Sequence, residues 1–368
     1  MKIALVHDDF SQSGGAESLF ATIAAIYPNA PIYTSLVNWH KLPQSIEKNR
    51  IHTSFMQKIP FSSSFFKLLL PLYPLAFESF DFDKYDVVIS STTRFAKSII
   101  TKPKTVHISY VNSTPRFLWN DDTKKEYLNP ALAFLAKPYL SWLKRWDRTA
   151  ASRVDFFIAN SKNIKAKIKD AYGRESEVIC PFANADFFTP AKIHNWKLKS
   201  QNYYLIVSRL VKWKRIDIAI EAAKDLGANL IIIGDGPDKG RLKRLASGGR
   251  ITFVGKVTRD RLREYYQNCK ALIVTQEEDF GIAAVEAQSC GRPVIAYEKG
   301  GAAEVVISGK TGVFFKKQTK ESLKDAIAAQ GRLKWKSAAQ RANSLKFSKA
   351  VFVKSITKSA RIYARGRR

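Results

Sequence analysis

Residues 275–306 read TQEEDFGIAAVEAQSCGRPVIAYEKGGAAEVV. The residues just before them, Ala271–Val274, form a short apolar run that predicts a buried strand. Gln276–Gly281 then falls at the carboxyl end of a parallel sheet, where open α/β sheets bind their ligands. Gly281 opens a predicted helix, and the unpaired N–H groups and dipole of a helix start favour a phosphate. Glu278, in the loop, is placed to accept hydrogen bonds from sugar hydroxyls. Glu286, eight residues on and near the helix start, is placed to accept them from ribose. Two Glu at this spacing also occur as solvated helix charges, and at this point both readings stand.

Outward from this stretch, apolar runs bounded by turn residues alternate with helical patterns along the whole chain. IALVH, YDVVISS, HISYV and DFFIANS come first, and YYLIVS, NLIIIGDG, ITFVG, ALIVT, PVIAY and GVFF follow. That alternation predicts parallel sheets with crossover helices, an α/β fold. At 368 residues the chain has room for two domains. The polar loop 190–201 separates the two series, so one domain is expected over 1–190 and the other over 200–340. In the tail, Phe352, Ile356, Ala360 and Tyr363 line up one face of a helix whose other positions are Lys and Arg. Helix 345–368 is expected to pack back on the first domain, the alternative being a surface helix that touches lipid head groups.

Composition narrows the class. Cys180, Cys269 and Cys290 lie far apart without metal-ligand spacing, which argues against a disulfide framework or a zinc site and fits a reducing cytoplasm. MKIALVHDDF holds too short an apolar run for a signal peptide and reads as a first strand. The apolar stretch 65–77, FFKLLLPLYPLAF, is broken by Lys67, Pro71 and Pro74, so no membrane span is expected. Charge is the unusual feature: 61 Lys and Arg against 32 Asp and Glu give +29, and beyond Asp325 there is no acidic side chain. Such a surface attracts anions, whether nucleic acid or the inner leaflet of a membrane.

Four further segments bear on chemistry. Arg209 and Lys214 follow a strand and precede an amphipathic helix, where two cations can neutralise a diphosphate leaving group. Gly14 and Gly15 occupy the first strand-to-helix loop and permit close approach to a phosphate or sugar, without the G-x-G-x-x-G spacing of a dinucleotide site. GDGPDKG, at 234–240, reads as a turn. Asp81-Phe82-Asp83 has a metal-binding D-x-D spacing but directly precedes the strand YDVVISS, so it reads as a turn and helix cap and no metal is expected. His7, His40, His52, His107 and His194 show no catalytic spacing, and His107 reads as a packed strand histidine.

Taken in order, these elements resemble the retaining GT-B glycosyltransferases of family 4. Glu278, Phe280, Gly281, Glu286, Ala287, Cys290, Gly291, Pro293, Val294 and Ile295 match that family's two-glutamate motif. Arg209, Lys214 and the turn Gly234–Pro237 match its basic and GDGP motifs. The resemblance implies two Rossmann-like domains facing a central cleft. It also implies a donor set of Gly14, Gly15, Arg209, Lys214, Glu278, Phe280, Gly281, Ile282 and Glu286, with Glu278, Arg209 and Lys214 serving the chemistry. Asn112, which stands where relatives carry a His at the cleft, is expected with Glu278, Arg209 and Lys214 among the catalytic residues, and Ala284 replaces a usual Pro. Asn160 and Ser161 are expected to shape the same region.

LLLPLYPLAFESFDFDKYDVVISS, LKRWDRTAASRVDFFIANS and YGRESEVICPF resemble bacterial O-antigen and exopolysaccharide mannosyltransferases. GDP-mannose is therefore the expected donor, the acceptor is expected to be lipid-linked or a polysaccharide, and neither cofactor nor metal is expected. An anionic membrane is a further expected partner, which puts the chain in the cytoplasm at the inner face. Two other classes stay open: a non-catalytic scaffold that binds glycan or nucleotide sugar, motivated by Asn112, and a nucleic-acid binder, for which no recognition motif is present.

Overall fold

The computed structural model describes residues 1–12, 14–60, 62, 69–120, 130–191 and 202–366. Most of the loop expected to separate the domains, with His194, lies outside them, as do residues 65–68 of the apolar stretch. Contacts divide the chain into two units: Met1–Cys180 with Phe352–Arg368, and Pro181–Val351. Residues 181–190 group with the second unit because their carbonyls are held there. Phe187 O accepts from Arg263, Thr189 O from Gln267, and Ala185 O and Phe188 O from Arg341.

The first unit carries β1 (Ile3–His7), β2 (Ile32–Thr34), β3 (Ile51–Thr53), β4 (Val87–Thr92), β5 (Val106–Val111), β6 (Phe156–Ala159) and β7 (Ser176–Val178). They form one parallel sheet in the order β3-β2-β1-β4-β5-β6-β7, with Leu5 opposite Ile89. β4 and β5 are buried at every position, as expected of a sheet covered on both faces. Tail helix Lys349–Arg365 belongs to this unit from Phe352 onward. It buries Phe352, Ile356 and Ala360, its Tyr363 ring stacks on Phe156 at 4.2 Å, and the Tyr363 hydroxyl donates to Glu177 at 2.8 Å.

The second unit carries β8 (Tyr203–Val207), β9 (Asn229–Ile233), β10 (Ile251–Gly255), β11 (Ala271–Val274), β12 (Val294–Tyr297) and β13 (Gly312–Phe315). Again all pairs are parallel, in the order β10-β9-β8-β11-β12-β13. Ile206, Leu230, Ile232, Ile273 and Ile295 meet helix residues such as Ile220 and Leu323 in its core.

Both sheets reverse direction of growth beside their first strand, between β1 and β4 in one and between β8 and β11 in the other. Such switch points open a crevice at the carboxyl ends of the strands. In the first unit that edge is built around Asp8, which is buried. Its carboxylate accepts the N–H groups of Thr93, Arg94, Phe95 and Ala96, the last three at 3.0, 2.8 and 2.7 Å, and the Thr93 hydroxyl at 2.8 Å. Burial raises the Asp8 carboxyl, but the Arg94 guanidinium, His7 and the Thr93 donors outweigh it and hold it below its ordinary value. Neighbouring Asp9 is paired with Arg94 and accepts from the Ser11 N–H at 3.0 Å.

Asp81 and Asp83 form a turn, with the Asp83 N–H donating to the Asp81 carboxylate at 2.8 Å. No helix starts there, so the expected cap is absent and the turn simply delivers the chain into β4. His107 is buried in β5 with Nε2 at 2.9 Å from the Ser90 hydroxyl, and burial first, then Arg153 and Lys97, push its pKa down to about 3.

Lys97 and Asp147 form an ion pair with almost no solvent access. The Asp147 carboxylate also accepts Trp119 Nε1–H and the Tyr172 hydroxyl, each at 2.8 Å, while Lys97 donates to the Arg94 carbonyl at 2.9 Å. Removing one partner of a buried pair leaves an uncompensated charge. Lys97→Ala is therefore expected to lower the unfolding free energy by about 3–5 kcal/mol in a denaturant titration. A loss near zero would show that the pair is solvated.

Candidate functional site

In the second unit the site grows from the end of β11. Thr275 and Gln276 are buried, and the chain then turns through Glu277, Glu278 and Asp279 to buried Phe280. Glu278 sits in an isolated parallel bridge with Gly300, and its carbonyl accepts the Gly301 N–H at 2.6 Å. A Cβ on Gly300 would overlap the Glu278 backbone, and one on Gly301 would overlap the Asp279 carbonyl and the Phe280 Cα. The two glycines therefore let one backbone lie directly against the other. Phe280 packs edge-on against Phe347, with ring centroids 5.5 Å apart.

Gly281, at φ +101°, turns the chain into helix Ile282–Ser289 without any side-chain cap. The Ala284 N–H donates to the Gly281 carbonyl at 3.0 Å, so the N–H groups of Ile282 and Ala283 are the ones left for an anion. Glu278 is held on its other side by Lys214, whose Nζ donates to its carboxylate at 2.6 Å, and by Gln276 Nε2. Lys214 reaches it from the short 3-10 turn Lys212–Lys214 after β8, where Thr275 Oγ1 donates to the Lys214 carbonyl at 2.6 Å. Arg215 follows at φ +50°, the one non-glycine in the left-handed region among the described residues. That conformation costs about 1–2 kcal/mol, and it turns the chain from Lys214 into helix Ile216–Asp225.

Arg209 is exposed, and among the described residues its guanidinium has no hydrogen bond or ion pair, in contrast to Lys214. Gly234 and Gly236 bring the GDGP turn against the Ser208 and Leu210 backbone, which leaves no room for a Cβ at either. Glu286 is not a solvated helix charge. The Tyr266 hydroxyl donates to its Oε2 at 2.9 Å, and burial drives the carboxyl up to about 7 against the opposing effect of Tyr266 and Arg259.

The structure thus joins Lys214 directly to Glu278 and places Phe280, Gly281, Ile282 and Glu286 on the same loop and helix. A cavity of about 510 Å³ in this unit lies elsewhere, at the amino ends of β8, β9 and β10, lined by Tyr203, Asn229, Arg250 and Tyr265.

The remaining site residues belong to the first unit. Gly14 precedes helix Gly15–Ile26, again without a capping side chain. Asn112, just after β5, donates to Ser91 Oγ at 2.9 Å, and its carbonyl accepts from Asn160 Nδ2 at 2.7 Å. Asn112 and Asn160 therefore tie the carboxyl ends of β4, β5 and β6 together, and Ser161 caps the helix that follows β6. Sequence reasoning missed Gln276, Gly300 and Gly301, and it missed Tyr266, which no spacing reveals. It also passed over Asp8, Asp9 and Glu17, although two adjacent carboxylates directly after an apolar strand were a readable signal.

Residues 190–343 match the family model for glycosyl transferases group 1. An uncharacterized glycosyltransferase of Methanocaldococcus jannaschii is 29% identical over 182 residues, 48% of this chain and 50% of that protein. D-inositol 3-phosphate glycosyltransferase of Mycobacteroides abscessus is 27% identical over 201 residues, 49% and 45% of the two chains. The chain spans about half the length of these curated relatives. Among solved structures, sucrose-phosphate synthase from Thermosynechococcus elongatus superposes with a TM-score of 0.74 at 17% identity, covering 98% of both chains. Anabaena HepE, in complex with UDP and glucose, gives 0.68 at 20% identity, covering 98% and 99%. The fold is GT-B. Within the GT-B fold, the two parallel sheets are its two Rossmann-like domains.

Glu286 carries a pH signature. Its carboxyl ordinarily titrates at 4.5 and here at about 7, so between those values the folded chain keeps a proton that the unfolded chain releases. Stability from this group is full below 4.5 and is lost as pH rises through 7. Glu286→Gln is expected to flatten that part of the stability profile in thermal unfolding. An unchanged slope would mean that the carboxyl is not raised.

Proposed function

We propose that the chain is a retaining hexosyltransferase that moves mannose from GDP-mannose to a lipid-linked or polysaccharide acceptor. The observation that carries this reading is the Lys214–Glu278 pair beside the uncapped helix start at Gly281. A cation from the turn after β8, a carboxylate from the end of β11 and the N–H groups of Ile282 and Ala283 meet there. They suit the diphosphate and the hydroxyls of a nucleotide sugar. The family model over residues 190–343 and the glycosyltransferase names of the relatives support the activity. Mannose and guanine rest on the resemblance of the first half of the chain, whereas HepE was solved with UDP and glucose.

In this mechanism Glu278 accepts hydroxyl hydrogens of the hexose and aims its anomeric carbon, while Glu286 takes the ribose. Lys214, Arg209 and the helix start at Gly281 stabilise charge on the departing diphosphate as the bond from the anomeric carbon to phosphate oxygen breaks. The acceptor oxygen bonds to the same face of that carbon, and its proton passes to the released phosphate. No protein-bound sugar forms, and we propose turnover without a metal.

GDP-mannose should raise the melting temperature, because ligand binds only the folded chain. Glu278→Gln should keep the fold and lose about tenfold or more in turnover. A shift with UDP-glucose but not GDP-mannose would reassign the donor, and wild-type turnover in the variant would remove Glu278 from the site.

We also propose that the protein works at an anionic membrane surface. Helix Lys349–Arg365 exposes Lys354, Lys358, Arg361 and Arg365, and each such charge contributes about 1 kcal/mol near anionic lipid. Among the described residues no helix is long and apolar enough to cross a membrane. Flotation with anionic vesicles at low salt should carry the chain upward; equal binding to neutral vesicles would refute the electrostatic attraction.

A further inference from the structure

A third strand end braces the Lys214–Glu278 pair. β8 and β11 are registered only at Tyr204 with Ala271 and Leu205 with Leu272, so their ladder does not itself reach Lys214 or Glu278. Side chains must carry the alignment further. Thr275, just past β11, is buried, and its carbonyl needs a donor. Gln318 supplies one, its Nε2 donating to that carbonyl at 2.9 Å. Thr275 passes the constraint on, because its hydroxyl donates to the Lys214 carbonyl at 2.6 Å and Lys214 in turn donates to Glu278.

Gln318 also grips the turn on its other side. Its own carbonyl accepts Arg215 Nη2 at 3.3 Å, and the Arg215 Nε lies 3.5 Å from the Asp217 carboxylate. Arg215 is the residue at φ +50° directly after Lys214, and backbone strain of this kind persists only where the surroundings over-determine it. The footing is firm. Gln318 follows β13 and directly precedes Thr319, whose hydroxyl caps helix Lys320–Arg332 by accepting the Ser322 N–H at 3.3 Å. In the order β8-β11-β12-β13, one half-buried glutamine thus ties the outer strand to the end of β11 and to the turn after β8.

We propose that Gln318 is a positioning residue for the transfer reaction: by fixing Thr275 and Arg215 together, it sets where the Lys214 ammonium and the Glu278 carboxylate stand. The inference rests on the glycosyltransferase reading and deepens it. A misplacement of about 1 Å at reacting groups can cost about a hundredfold in rate. The nucleotide half of the donor, which Gln318 does not orient, should bind as before. Loss of Gln318 therefore belongs in kcat and not in donor affinity.

The test uses the full chain with GDP-mannose and UDP-glucose as donors and octyl mannoside as acceptor probe, turnover being read as release of the nucleoside diphosphate. Gln318→Ala should stay folded and lower kcat about tenfold or more, with the dissociation constant of the donor unchanged. Gln318→Glu keeps the length, and its kcat relative to wild type should fall as pH rises, because only the protonated carboxyl can donate to the Thr275 carbonyl. Since Gln318 acts through Glu278, adding Gln318→Ala to Glu278→Gln should cost little beyond Glu278→Gln alone. Wild-type kcat in Gln318→Ala, an equal loss of donor affinity or full additivity of the two losses would overturn the assignment. So would a crystal structure of Gln318→Ala that keeps the 2.6 Å bond from Lys214 to Glu278. A wild-type chain that neither binds nor consumes any sugar nucleotide would instead overturn the function on which the assignment depends.

Discussion

Asp8 organises the first unit. One buried carboxylate gathers four consecutive N–H groups from Thr93 to Ala96, so the loop leaving β4 is wrapped around the end of β1. These strands are neighbours in the sheet but far apart in the chain, and their side chains are consumed by the core. Nothing in hydrophobic packing would fix the path of the loop beyond them. The carboxylate does so because each buried N–H needs a partner and one anion can serve several. Arg94, placed by that loop, then pairs with Asp9, and Lys97 reaches Asp147 from the turn that follows.

The second unit solves the same problem differently. Its switch point between β8 and β11 is bridged by side chains, Lys214 to Glu278 and Thr275 to the Lys214 carbonyl. Both units leave an uncapped helix start after a glycine, at Gly14 and at Gly281. A parallel sheet brings strand ends, loop donors and helix dipoles to one edge, so polar groups concentrate there in each unit.

The long strands were legible because a run of apolar residues between turn formers has few other uses. β2, β3 and β7 were not read, since each is three residues long and too short to show a period. Gly281 and its helix were readable from one glycine after a strand. The Lys214–Glu278 pair was not, because its members are 64 residues apart and meet only through strand order. Glu286 shows the limit from the other side. Its place on the helix was foreseen, yet its burial depends on Tyr266, which arrives from the helix before β11.

Gly300 and Gly301 set a bound on how this protein can change. Because backbone touches backbone there, no side chain fits at either position without displacing Glu278 or Phe280. Substitution therefore has no handle on this wall of the candidate site. Variation must come from residues whose side chains are free to differ in size, such as the partly buried Ile282 and Glu277. Side chains can change at those positions while the turn that holds the carboxylate stays as it is.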